Sequence, residues 1–249
     1  MVYNSKILVT ASSKGIGRYI ATYLHMKGYE VIGTSRVAKK QELPYRLEYL
    51  DFRHKEAIEK LVDNINPIRS AIINTGNPSC EPCKFLDTSY EDWIEGAQIL
   101  LAGPLYLIKL LIQKTLEHND RISIILVSAA SVLEPMPYFA ISDTVRSGLS
   151  RIAKILSRTY PSNIRINIVL LGSYDTPGAR YNISRIGEEK GLTDRELAWR
   201  KLVIERNPGG KIGTPDELGM IVEFLLFNAS YINGTTILID GSMTKGVLI

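Results

Sequence analysis

The 249-residue chain has only two cysteines and three histidines, and no window approaches 18 consecutive apolar residues free of charge. Each scarcity removes a class of protein. A zinc site needs about four ligands; Cys80 and Cys83 form a lone CEPC, with His25, His54 and His118 scattered elsewhere, so no metal is expected. That pair reads either as two loop thiols or as a disulfide or redox couple. The missing apolar run argues against a membrane span. The start, MVYNSKILVTASS, lacks the longer apolar stretch and small-residue cleavage site of a secretory signal, so a cytoplasmic protein is expected. Dense basic blocks are missing too. The 30 Lys and Arg against 26 Asp and Glu leave a formal charge of +4 spread along the chain, so nucleic acid is not an expected partner. With no repeats, low-complexity tracts or linker, a single domain is expected.

What is present is alternation. Strand-like runs at KILVT, EVIGTSR, Arg46–Leu50, Ala71–Asn74, Ser123–Ser128, Arg165–Leu171 and Thr235–Asp240 are short and aliphatic or β-branched. Helical patterns separate them: GRYIATYLHMKGY, Lys55–Asn64, Tyr90–Glu117, Ser142–Thr159 and Pro215–Phe227, the last opened by a Thr-Pro-Asp-Glu capping signal. The pattern predicts one α/β domain, a doubly wound Rossmann-type fold with a seven-stranded parallel sheet and helices on both faces. The polar segment from Thr176 to Gly213 reads as a flap over a cleft.

After the first strand, Thr10-Ala11-Ser12-Ser13-Lys14-Gly15-Ile16-Gly17 opens a helix. Glycines at 15 and 17 allow close approach of a pyrophosphate, and a helix N-terminus aims free N–H groups at it. The second strand ends at Ser35-Arg36, where a carboxylate would grip the ribose hydroxyl of NAD; Arg36, with Lys14, suits the 2′-phosphate of NADP(H) instead.

These residues resemble the short-chain dehydrogenase/reductase family over nearly the whole chain. Thr10 to Gly17 is similar to its Thr-Gly-x-x-x-Gly-x-Gly cofactor motif, with Ala11 where the first glycine usually stands. Asp51, followed by Phe52, matches its adenine-binding aspartate; Asn74-Thr75-Gly76 resembles its Asn-Asn-Ala-Gly; Leu171-Gly172 and Asp175-Thr176 look like the residues that touch the nicotinamide. The resemblance implies hydride transfer on a small-molecule carbonyl or alcohol, and a homodimer or homotetramer.

It also implies a proton-donating tyrosine, a ribose-holding lysine, a positioning serine and an asparagine for a water relay. The register that keeps Val145, Leu149, Ile152 and Leu156 toward the core puts Ser142 at the tyrosine, Arg146 at the lysine, Ala129 at the serine and Leu100 at the asparagine. A second register puts Tyr138 at the tyrosine and Ser142 at the lysine. The replacements, with the EPMP and NTGNP turns, resemble a divergent 3-oxoacyl-carrier-protein-reductase-like branch. Tyr138 and Tyr174 are the phenols available to substitute as proton donor, and Ser128 and Ser131 are candidates to bind a substrate oxygen. Three readings follow: an NADP(H)-dependent oxidoreductase with a non-standard site, a catalytically silent NADP(H)-binding sensor or assembly subunit, and a thiol redox protein.

Overall fold

A computed structural model describes residues 6–37, 42–65 and 67–246. Seven parallel strands form one sheet: β1 (Lys6–Val9), β2 (Glu30–Ser35), β3 (Arg46–Tyr49), β4 (Ser70–Ile73), β5 (Ile122–Ala129), β6 (Ile164–Leu171) and β7 (Thr236–Ile239). Their spatial order is β3-β2-β1-β4-β5-β6-β7. The helices are α1 (Gly15–Met26), α2 (Lys55–Ile65), α3 (Tyr90–Ala97), α4 (Gly103–Glu117), α5 (Ala140–Ser147), α6 (Leu149–Thr159), α7 (Pro177–Glu189), α8 (Arg195–Leu202) and α9 (Pro215–Phe227).

Successive strand residues point to opposite faces, and the core divides accordingly. Ile7 and Val9 of β1 join Ile20 and Leu24 of α1 and Val222 and Leu225 of α9 on one face. Leu8, between them, joins Leu61 of α2, Leu107 and Leu111 of α4 and Ala153 of α6 on the other. The order of strands reverses at β1 and β4, which opens a crevice at their C-terminal ends, the usual ligand site of such sheets.

The expected strands agree with those observed to within a residue or two. The helix expected over Tyr90–Glu117 is continuous in space, but residues Gln98–Ala102 form a π-helical segment within it. Tyr90–Glu117 is long and apolar enough to cross a membrane, with half of its most apolar window buried; here it serves the core. The helix expected over Ser142–Thr159 begins two residues earlier and divides at Gly148 into α5 and α6.

The segment from Thr176 to Gly213, read from sequence as a polar flap, contains the two helices α7 and α8. Arg180 binds them together: it pairs with Asp175 at 2.7 Å and Glu196 at 2.9 Å, and its guanidinium lies 4.2 Å from the centre of the Trp199 ring. The polar composition therefore reflects ion pairing around one buried tryptophan.

Candidate functional site

The turn from β1 to α1 sits at the crevice. A side chain on Gly17 would lie 2.3 Å from the Ala11 carbonyl oxygen, so only glycine fits there. Ala11 takes φ +49°, the left-handed conformation that glycine adopts without penalty. The turn is pinned from below: the Ala11 amide donates to Thr34 Oγ1 at 3.1 Å, the Thr34 amide donates to Ser12 Oγ at 3.0 Å, and the Tyr45 hydroxyl donates to the Ser12 carbonyl at 2.7 Å. Asn74, just past the end of β4, closes it, its amide donating to Thr10 Oγ1 at 2.9 Å.

Helices α3, α7, α8 and α9 are capped by Ser89, Thr176, Asp194 and Thr214. At the start of α1, Lys14 makes no such bond, leaving the first-turn N–H groups without a side-chain acceptor among the described residues. Thr176 faces this end, its Cβ 3.7 Å from where a side chain on Gly15 would begin. A phosphate fits this position in size, charge and hydrogen bonding. Arg36, exposed, extends across the same crevice, with Nη2 3.7 Å from where a side chain on Gly76 would begin.

Asp51 is buried and is gripped by its neighbour, with Arg53 Nη2 donating at 2.6 Å and Arg53 Nε at 3.0 Å. Burial works to raise this carboxyl, but the Arg53 bonds outweigh it and hold it below the usual range. Arg53 also reaches Glu95, which accepts the Ser79 amide at 3.0 Å.

On α5, Ser142 and Arg146 stand one helical turn apart. Arg146 Nη2 donates to the Gly76 carbonyl at 3.2 Å and to Asn77 Oδ1 at 3.1 Å, which fastens α5 to the loop after β4. Burial pulls the Arg146 guanidinium down from its ordinary range, while Glu81 and Asp143 act in the opposite sense. Ser142, 1% exposed, donates its hydroxyl to Glu81 Oε2 at 2.5 Å and its amide to Glu81 Oε1 at 2.8 Å. Glu81 is itself 5% exposed, and burial pushes its carboxyl above the usual range. Asp143, next along, is raised for the same reason; it accepts the Met136 amide at 2.9 Å and the Ser131 hydroxyl.

Sequence reasoning missed Glu81 and Asp143. Glu81 meets Ser142 across 61 positions of chain, with no local pattern to link them; the available signal was an acid inside the short loop between Cys80 and Cys83 at the ligand end of the sheet.

The other candidates have partners of their own. Tyr138 lies at the rim, with its ring 5.7 Å from Lys84 Nζ, which is itself paired with Glu189 of α7. Tyr174, the other candidate proton donor, is instead buried in the apolar cluster under α9; its hydroxyl has no partner among the described residues, and burial pushes it up to about 12. Ser128 Oγ is buried on β5 without a partner among the described residues, whereas Ser131 serves Asp143. Leu100 is fully buried within the π-helical segment and Ala129 ends β5; neither carries a polar side chain. Cys80 and Cys83 are free thiols in contact, and burial first, then that contact, pushes Cys80 up to about 12, which leaves little reactive thiolate. Among the described residues no group of three or more His, Cys, Asp or Glu could hold a metal.

Residues 10–244 match a family model described as enoyl-(acyl carrier protein) reductase. An uncharacterised oxidoreductase of Schizosaccharomyces pombe is 25% identical over 96% of this chain and 91% of its own length. The ligand-free aldohexose dehydrogenase of Thermoplasma acidophilum superposes with a TM-score of 0.86 at 24% identity, covering 100% of this chain and 97% of that one. An actinorhodin polyketide ketoreductase solved with NADPH superposes at 0.87 with 20% identity, covering 98% of each chain. With a family match over nearly the whole length and whole-chain superposition on solved relatives, the chain belongs to the short-chain dehydrogenase/reductase family of oxidoreductases.

Proposed function

We propose that the chain is an NADP(H)-dependent oxidoreductase of a small carbonyl or alcohol compound, working with a non-standard active site. The observation that carries this reading is the start of α1: a glycine turn and uncapped N–H groups facing Thr176. On this reading Ser12, Ser13, Lys14, Gly15, Ile16 and Gly17 hold the pyrophosphate. Asp51 and Phe52 flank the adenine, sharing the Asp51 carboxylate with Arg53. Asn74, Thr75 and Gly76 back the adjoining ribose. Arg146 holds the nicotinamide ribose, with Gly172 and Thr176 near the ring. Arg36 and Lys14 take the 2′-phosphate through charge-assisted bonds; the NADPH in the polyketide ketoreductase supports that choice.

Bound there, the dinucleotide supplies or accepts a hydride. The chain's own part is to orient the reactants and to move a proton. Arg146 cannot do the latter, because a guanidinium keeps its proton at any working pH. Ser142 alone is too weak an acid.

Loss of NADPH absorbance with a panel of ketones and aldehydes tests the reading. Turnover of any of them supports it; none, with NADPH bound, favours a silent NADP(H)-binding sensor or assembly subunit. The second reading has its own observation, the Ser142 hydroxyl turned into buried Glu81.

A cytoplasmic homodimer or homotetramer goes with either reading. Met220 and Phe224, about half exposed on α9, supply apolar surface for such a contact, and sedimentation equilibrium tests it.

A further inference from the structure

We propose that Glu81 is the proton source of this site, delivering its proton through the Ser142 hydroxyl to the oxygen of a bound carbonyl; the inference rests on the oxidoreductase reading. Glu81 Oε2 and Ser142 Oγ are 2.5 Å apart, within direct hydrogen-bonding reach for proton transfer. The second contact sets the direction. The Ser142 amide, 2.8 Å from Oε1, can only donate, so Oε1 is held as an acceptor; a protonated Glu81 therefore carries its proton on Oε2, and the Oε2–Oγ bond then runs from acid to serine in place of the serine-to-carboxylate donation, which frees the serine proton for a substrate oxygen.

The other groups around the pair do not compete. Arg146 keeps its proton. Asp143 accepts from Ser131 and Met136. Cys80 and Cys83, on the Glu81 loop, are raised by burial first. Tyr138 stands at the rim against Lys84 and Tyr174 is in the core. Burial keeps Glu81 protonated above the usual carboxylate range, which brings an acid nearer to a working pH.

Reduction of a carbonyl takes one hydride at carbon, supplied by the reduced dinucleotide, and one proton at oxygen. The Ser142 O–H bond breaks as its proton goes to the substrate oxygen, and the Oε2 proton of Glu81 forms the new Ser142 O–H bond. The serine ends unchanged. Glu81 ends as a carboxylate near the Arg146 charge, and solvent returns its proton after product leaves. In the free chain the pair is sealed from water, so the loop before α5, joined to the Glu81 loop where the Cys83 amide donates to the Tyr138 carbonyl at 3.1 Å, has to part for a carbonyl to reach Ser142.

The test uses Glu81→Gln, which keeps both hydrogen bonds but cannot ionise, with Ser142→Ala as a second variant. Infrared difference titration of the free protein should give a carboxyl band, absent in Glu81→Gln, that persists above the ordinary glutamic range and shifts in Ser142→Ala. With NADPH and an accepted carbonyl, Glu81→Gln should lose about 10²–10⁴-fold in kcat, together with the alkaline limb of the pH profile, while calorimetry shows NADPH still binding. The double variant should be no worse than either single one. A Glu81 that titrates in the ordinary range, or turnover unchanged in Glu81→Gln, overturns the proposal and leaves the oxidoreductase reading standing. A wild type that binds NADPH but reduces no carbonyl overturns that reading and this proposal with it.

Discussion

Lys84 Nζ lies 2.7 Å from Glu189 Oε2, so the loop after β4 is clasped to the end of α7 across the mouth of the crevice. Both side chains are about half exposed, and a solvent-screened pair of this kind adds little to stability. Lys84→Ala is therefore expected to leave the unfolding midpoint nearly unchanged while amide exchange quickens in α7. A large loss of stability would show that the clasp holds the fold together and does not merely join two rims.

Ala11 predicts a gain. Its φ of +49° costs a non-glycine residue roughly 1–2 kcal/mol, against about 0.4–1 kcal/mol for the greater unfolded-chain freedom of glycine. Ala11→Gly should stabilise the protein by about 0.5–1 kcal/mol in urea titrations. A destabilised variant would mean that the Ala11 methyl group packs more usefully than its strain costs.

Gly17 predicts the reverse. A methyl group there meets the Ala11 carbonyl carbon at 2.8 Å as well as its oxygen at 2.3 Å, and backbone has to move to admit it. Gly17→Ala should cost about 1–3 kcal/mol and abolish measurable dinucleotide binding. Unchanged binding would remove the cradle from the account.

Much of this was legible in the sequence because it is local. β-branched runs of four to eight residues mark the strands, Thr214 with Glu217 marks the start of α9, and Gly15 and Gly17 mark the cradle. What was not legible depends on distant residues meeting. The π-helical segment at Gln98–Ala102 carries no residue that forces it, and the helix after β5 breaks at Gly148, which lies near the Leu101 side chain. The Thr176–Gly213 segment looked loose because its order comes from Arg180 and Trp199 meeting across two helices. Glu81 was invisible for the same reason: its partner is on another element.

Stability should depend on pH through the two buried carboxyls. Burial holds Glu81 and Asp143 above the usual range, so between the unfolded and folded pKa values the folded chain binds more protons than the unfolded one. Their contribution is complete below the unfolded carboxylate pKa and is lost as pH rises through the raised folded values. Asp51 and Asp175, held low by Arg53 and Arg180, work oppositely at the acid end. The double variant Glu81→Gln with Asp143→Asn should flatten only the decline on the higher-pH side of the carboxylate range, read from urea titrations across pH. An unchanged decline would mean that neither carboxyl keeps its proton in the folded chain.

Cofactor choice tests the account most directly, because the nucleotide site is its foundation. Calorimetric titration of wild type and Arg36→Ala with NADPH and NADH should show NADPH binding the wild type more tightly. Arg36→Ala should weaken NADPH selectively, by about 1.5–3 kcal/mol for a well-made bond to a charged group, and leave NADH nearly unchanged. Equal affinities in the wild type, or a preference for NADH, would contradict the assignment of Arg36 and Lys14 to the 2′-phosphate.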